Sequence, residues 1–380
     1  MGRIKISIKY LFGLTLFIFL FSSALAQERQ ITNEEFKKAD DEYNRLTSEI
    51  NRLHNEMSKA SESGDIELYN QMKEQYDKAA EERKKHEQIR MDFMKQNKEL
   101  VSVKKIYNEG NTAYKLGNTE EALAKYNEAI KKGLEANSPA LNETISRAYY
   151  QSGLIKKSAK KYQEAIDSYT NAIKYAPSYE PAYFALGKAY YDISKFNLAI
   201  RNYQKAIEIN NSFYQAYYNL GSVYLTQWSR IGKGNARRKA ELLNRAEAAF
   251  RDAVRNNPKY YFAYTSLGRV LVEKKRTMEA IDALNRSVKI RRNYWQHYYY
   301  LAVAYNQLKD PRDAIENAQN CLKYRRNFAP AFIEMGDAYK QLGDENRAIQ
   351  SYSKALNNRT YRKLAEYKID MIKNKDKYIQ

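Results

Sequence analysis

The sequence is poor in the residues that enzymes and disulfide scaffolds depend on. Its single cysteine, Cys321, excludes an intramolecular disulfide framework and any cysteine-based zinc site. Three scattered histidines (His54, His86 and His297) offer no metal cluster. Six prolines and fourteen glycines in 380 residues leave little punctuation for a loop-rich fold. No GxGxxG, Walker-type loop, HExxH or CxxC occurs, and Gly232-Lys233-Gly234 lacks the spacing of a phosphate loop. Carboxylate pairs such as Glu120/Glu121 sit at helix starts, where they favour the helix dipole. The expectation is a non-enzymatic chain with no catalytic residue, metal or cofactor. What is abundant is Ala, Lys, Glu, Asn and 35 tyrosines, a composition that favours an almost entirely helical protein.

The first 26 residues read as a secretory leader. Arg3, Lys5 and Lys9 precede the apolar run Tyr10–Phe21, and Ala24-Leu25-Ala26 offers a cleavage signal before Gln27. The run is shorter than the roughly 18–20 residues of a membrane span, which leaves an N-terminal anchor as the minor alternative. The mature chain is therefore expected to be exported, periplasmic or secreted. Its charge divides unevenly: residues 27–100 have a net charge of −4 and residues 101–380 of +21. That shift marks a boundary near residue 100.

In the acidic part, Phe36, Ala39, Tyr43, Leu46, Ile50, Leu53, Met57 and Ala60 step alternately by three and four, the a/d spacing of a coiled coil. Ser61–Asp65 reads as a five-residue turn with Asp65 capping a second helix from Ile66 to about Leu100. Residues 27–100 are thus expected to form an antiparallel helical hairpin, and the 36–60 stripe is a candidate for pairing between two copies of the chain.

From residue 103 the sequence repeats. Gly110, Gly153, Gly187, Gly221, Gly268, Ala302 and Gly336 occupy one register, mostly 34 residues apart. Ala122, Ala165, Ala199, Ala280, Ala314 and Ala348 follow twelve residues behind, and an aromatic recurs at Tyr126, Tyr169, Tyr203, Phe250 and Tyr352. Nine extra residues lie around Glu135–Glu143 and thirteen around Trp228–Lys239. This pattern resembles the tetratricopeptide repeat (TPR) family. The resemblance implies an all-α fold: a right-handed superhelical solenoid of about seven helix-turn-helix repeats over residues 103–362, starting near 103, 146, 180, 214, 261, 295 and 329, after the helical hairpin. The small residues permit close helix approach and the ring fills the gap between units. Leu284 and Ala318 replace the ring in repeats 5 and 6, where looser packing is expected. Residues 363–380 read as a capping helix and tail, with Leu364, Tyr367, Met371 and Ile372 as its stripe.

The resemblance further implies that the first helix of each unit lines a ligand groove. Positions 2, 5, 9, 12 and 13 of those helices are implied to face the ligand, and the fifth, ninth and twelfth give the candidate contacts Tyr107, Asn111, Tyr114, Tyr150, Lys157, Phe184, Lys188, Tyr191, Tyr218, Arg269 and Tyr299. Thr265 and Ile333 complete the fifth-position row. Rings with interspersed cations and amides suit an extended peptide, an acidic one included; packing between repeats is the competing role for these rings. The carboxylate clamp of some TPR co-chaperones is incomplete, since Tyr107 stands where its lysine would be. A basic stretch at 230–292 holds 17 basic and 6 acidic residues. Arg230, Lys233, Arg237, Arg238, Lys239, Lys274, Lys275, Arg276, Arg291 and Arg292 form this candidate patch. Export argues against nucleic acid and points to anionic lipid, glycan or acidic protein. The leading expectation is an exported scaffold that holds a protein segment. The order leader, coiled coil, TPR array resembles periplasmic TPR proteins of envelope assembly; the alternative is an envelope-surface binder acting through the basic face.

Overall fold

A computed structural model describes residues 32–232 and 235–377, and these form seventeen α-helices with no strand among them. The expected leader and Lys233 lie outside the described residues. Two compact units divide the chain at Thr144/Ile145.

In the first unit, α1 (Asn33–Ser63) and α2 (Ile66–Gln96) form the hairpin. Thr32 and Glu35 make a reciprocal capping box: the Thr32 hydroxyl accepts from the Glu35 amide, and the Glu35 carboxylate accepts from the Thr32 amide. The turn is tighter than the sequence suggests. The Ser63 hydroxyl donates to the Ala60 carbonyl, so α1 continues to Ser63, and Gly64 alone takes the left-handed conformation at φ 73°. Asp65 then caps α2 through the Leu68 amide, as its position implied. The α1 stripe is consumed inside the chain. Leu46, Ile50 and Leu53 are buried with Ala79 against Met72 and Tyr76, and Phe36 stacks on Phe93 at 4.3 Å. The same unit holds α3 (Lys98–Lys115) and α4 (Thr119–Ala136), the first repeat. The nine-residue insertion after it contains a 3-10 turn, Pro139–Leu141, that buries Leu141.

The second unit stacks helix pairs. These are α5 (Asn142–Ser158) with α6 (Tyr162–Tyr175), α7 (Glu180–Asp192) with α8 (Phe196–Ile209), and α9 (Tyr214–Arg230) with α10 (Ala236–Asn256). Then come α11 (Tyr261–Glu273) with α12 (Thr277–Ile290), α13 (Trp295–Leu308) with α14 (Pro311–Tyr324), and α15 (Ala329–Gln341) with α16 (Glu345–Ala355). The thirteen-residue insertion in repeat 4 is mainly helix: it lengthens α9 and α10 to 17 and 21 residues. α17 (Arg362–Lys373) covers the last pair. Its buried residues are Ala365 and Ile372, with Ile369 half-buried beside them, whereas Leu364 and Tyr367 are exposed. The stripe therefore runs at 365, 369 and 372, a helical i, i+4, i+7 set.

The repeat register has a steric cause. The aromatic side chains Tyr169, Tyr203, Phe250 and Tyr352 are fully buried, each against the glycine of its own pair. A Cβ on Gly187 would stand 2.7 Å from Tyr203 Cε1, closer than real Cβ contacts allow. Repeat 6 lacks the ring and carries Ala302 where the others carry glycine; Ala302, Ala318 and Met335 form a buried cluster instead. Repeat 5 keeps Gly268 under a fully buried Leu284. Packing is not looser there: a methionine from the next helix, or a branched aliphatic, occupies the space of the ring.

Gly187→Ala should therefore destabilise the protein by about 1–3 kcal/mol through overpacking, seen as a lower melting temperature. A melting temperature at or above that of the parent protein would show that Tyr203 can yield and that glycine is not required.

Candidate functional site

The fifth-position rings lie between two others. Phe184 is 5.8 Å from Tyr203 of its own pair and 4.8 Å from Phe213, at the entrance to the next pair. Tyr150 pairs likewise with Tyr169 and Tyr179, and Tyr218 with Phe250 and Tyr260. Tyr299 meets Phe328 edge-on at 5.2 Å. Thr265 and Ile333 are buried. These rings are half-buried parts of the repeat-to-repeat packing, and each presents only its remaining face to the groove. The partners at 179, 213, 260, 294 and 328 are all aromatic and sit just before a first helix. Counting one position upstream of each repeat would have found them.

Several other candidates are engaged as well. Lys157 is ion-paired to Asp192 at 2.8 Å, and Lys188 lies 5.6 Å from the Phe184 ring centre. Desolvation, with Lys157 nearby, holds the Lys188 ammonium pKa below its ordinary value. In the first unit, Tyr107 packs on Tyr126, and Asn111 accepts a hydrogen bond from the Tyr126 hydroxyl at 2.9 Å; Tyr114 is exposed.

Tyr191, Tyr218 and Arg269 do converge. They line a cavity of about 240 Å³ with Ser222, Thr226, Ser266, Gln296, Tyr294 and Tyr300, drawn from α7, α9, α11, α13 and the turn before α13. The Tyr191 hydroxyl is 3.0 Å from Thr226 Oγ1. Burial raises the phenol pKa values of Tyr218, Tyr294 and Tyr300, so all three remain neutral donors at ordinary pH. A second cavity, of about 390 Å³, shares Arg269 and Tyr300 and adds Glu273, Tyr299, Arg325, Asn327, Phe328, Asn358 and Tyr361. The sequence reading missed Ser266 and Tyr300, which share the sixth repeat position; Thr226 and Glu273 share the thirteenth, a position that the resemblance turns toward the groove.

Part of the basic stretch is ion-paired internally. Glu247, on α10, is 7% exposed. It accepts from Lys274 Nζ, Arg276 Nη1 at 2.7 Å and Arg251 Nε at 2.9 Å. Burial raises its pKa, but these hydrogen bonds and charges prevail and hold it at about 2. Glu279 accepts from Arg251 and Arg276. Arg238 pairs with Glu241, while Arg230 reaches Ser194 and lies 4.7 Å over Phe196. Lys239 lies over Trp228, and Arg291 over Tyr261. Arg230, Arg237, Lys275, Arg291 and Arg292 are exposed. Cys321 is fully buried, and burial pushes its thiol up to about 12, which leaves it inert as a nucleophile.

Two carboxyls give predictions of opposite sign. Glu247→Gln leaves three cations around a neutral amide and should cost about 3 kcal/mol or more, read from the denaturation midpoint. Arg237→Ala should change stability by less than about 0.5 kcal/mol. An equally small loss for both would remove Glu247 as the organising charge. Glu334 on α15 accepts from Asn306 Nδ2 at 2.8 Å, yet burial raises it to about 7. Its folded pKa lies above the unfolded value of 4.5, so its contribution is full below pH 4.5 and declines as pH rises to about 7. Glu334→Gln should flatten that decline and raise the melting temperature at pH 8 more than at pH 5. Equal shifts at the two pH values would contradict it.

Residues 147–194 and 187–227 match the family model described as TPR repeat, and residues 231–297 and 329–359 match models described as tetratricopeptide repeat. No curated protein matches the chain. Among solved structures, PilF of Pseudomonas aeruginosa aligns at TM-score 0.50 and 16% identity, over 62% of this chain and 99% of that one. The C-terminal part of a TPR repeat-containing protein from Cytophaga hutchinsonii aligns at TM-score 0.50 and 17% identity, over 69% of this chain and 99% of that one. These two likenesses show a shared fold. With its helix pairs in the 34-residue register and its glycines set under buried rings, the chain is a tetratricopeptide repeat protein.

Proposed function

We propose that the protein is an exported, non-enzymatic scaffold that holds an extended protein segment in the groove of its first helices, in cell-envelope assembly. The observation that carries this reading is the run of cavity-lining side chains from four successive first helices, α7, α9, α11 and α13. Polar hydroxyls and one guanidinium face that space while the rings beneath them are fixed by packing. A rigid, amphipathic wall of this kind contacts an extended chain at low entropic cost. Export rests on the leader-like residues 1–26. The hairpin packs Leu46, Ile50 and Leu53 within one chain, and the rest of its 36–60 stripe is the candidate surface for pairing two copies.

A photo-crosslinking residue at Gln296 should capture a protein in the native cells, and Ser266→Trp, which fills the adjoining space, should abolish that capture without lowering the melting temperature. Phe184→Ala should instead lower stability, by about 3 kcal/mol. Crosslinks that persist unchanged in the Ser266→Trp protein would sink the groove reading, and a mature protein that still begins at Met1 would sink export.

A further inference from the structure

The larger cavity has a charge arrangement that the groove reading does not use. Arg325, in the turn after α14, lies 4.2 Å over the Trp295 ring and 4.6 Å over Phe328, and those two rings meet edge-on. Its guanidinium is thereby held against an aromatic surface that leaves its N–H groups free to donate. Arg269, on α11, lies 5.9 Å from the Tyr300 ring centre. Neither guanidinium makes an ion pair with a carboxylate among the described residues, whereas Lys274 and Arg276, a few residues from Arg269, both pair with Glu247. Both line the same 390 Å³ space, together with Asn327, Asn358 and Tyr361, groups that can donate to an anion.

We propose that this cavity is a carboxylate subsite, in which Arg269 and Arg325 hold an aspartate, a glutamate or the free C-terminus of the bound peptide. It deepens the groove reading and rests on it. The charge balance selects the ligand class. Glu273 lines the cavity too, so two guanidiniums and one carboxylate leave one positive charge for a single monoanion to neutralise. A phosphate dianion would overcompensate and face Glu273 as well. Burial raises the Glu273 pKa, which further weakens its competition for the two arginines. The aromatic walls, Tyr299, Tyr300 and Phe328, fit the methylene part of an acidic side chain. Planar guanidinium forks match a carboxylate edge, and such charge-assisted bonds are the stronger kind.

A displayed random-peptide library, presented once with free and once with blocked C-termini, should be selected against the full chain. The synthetic winners should then be titrated by fluorescence anisotropy. Selected peptides should carry a carboxylate, and its replacement by the amide should weaken binding about tenfold. Arg269→Gln and Arg325→Gln should each remove that discrimination. Arg325→Lys, which keeps the charge but not the fork, should retain only part of it, and Glu273→Gln should tighten binding. Enrichment in only the free-terminus library would assign the subsite to a C-terminus; enrichment in both would assign it to a side chain. Discrimination that survives both arginine substitutions in folded protein, or displacement of the peptide by inorganic phosphate at low millimolar concentration, would overturn the proposal. If peptides are retained and Ser266→Trp releases them, the groove reading stands even when the subsite fails. If no peptide is retained at all, both fall together.

Discussion

The approach of a glycine backbone to a buried ring, repeated down the chain, is the contact on which the stack depends. In five of the seven pairs the second helix presents a ring to the first helix at a glycine where no Cβ fits. This fixes the separation of the two helices and their axial register. It also fixes which side chains face outward, because a helix held at one point against a neighbour has one rotation available. Repeat 6 is the internal control. Where Ala318 replaces the ring, the opposing position holds Ala302 instead of glycine, and Met335 enters from the following helix. Small residue and large residue vary together because the space between the helices is conserved at close-packed density.

That constraint separates what was legible in the sequence from what was not. Gly187 with Tyr203, and Gly336 with Tyr352, are local, periodic and chemically distinctive, so the family, the helix pairs and the repeat borders could be read directly. The fate of the fifth-position rings could not. Tyr150, Phe184 and Tyr218 sit at positions that face the groove, but each also meets a ring preceding the next first helix. Exposure of a ring at such a position depends on its neighbour 29–42 residues away, which pattern reading along one helix does not supply. In the hairpin the stripe from Phe36 to Ala60 and a second helix from Ile66 were both legible, and α2 supplies Met72, Tyr76 and Ala79 to the cluster around Leu46, Ile50 and Leu53.

Charge was misjudged for a related reason. A count over residues 230–292 registers a large positive excess, but counting assigns no partners. Glu247 is a single carboxylate, yet three basic groups from α10 and the α11–α12 turn converge on it. A buried anion surrounded by hydrogen-bonded cations holds its neighbours in place, and it withdraws those cations from any external anion. Part of the basic stretch is therefore internal wiring of the long fourth repeat, while Arg230, Arg237, Lys275, Arg291 and Arg292 stay exposed. Cation count and anion-binding capacity diverge wherever buried carboxylates are present.

What remains for a ligand is whatever the packing leaves over, and this residue of the fold has a definite character. Rings at positions 5 and 24 and those before the first helices are committed to holding pairs together. Positions 6, 9 and 13 of the first helices are not, and in repeats 4 to 6 they carry Ser222, Thr226, Ser266, Arg269, Glu273 and Tyr300. The groove is thus an apolar frame with polar groups mounted on it, and the frame limits their motion. Arg269 and Arg325 show the consequence most clearly. Some basic side chains of this unit are balanced by an acid, as Lys157 is by Asp192. Here the neighbouring groups are aromatic faces, which hold a guanidinium without satisfying its N–H donors. An arginine held in that way carries its hydrogen-bonding capacity into the cavity unspent, so the packing that builds the solenoid also supplies the polarity of its binding surface.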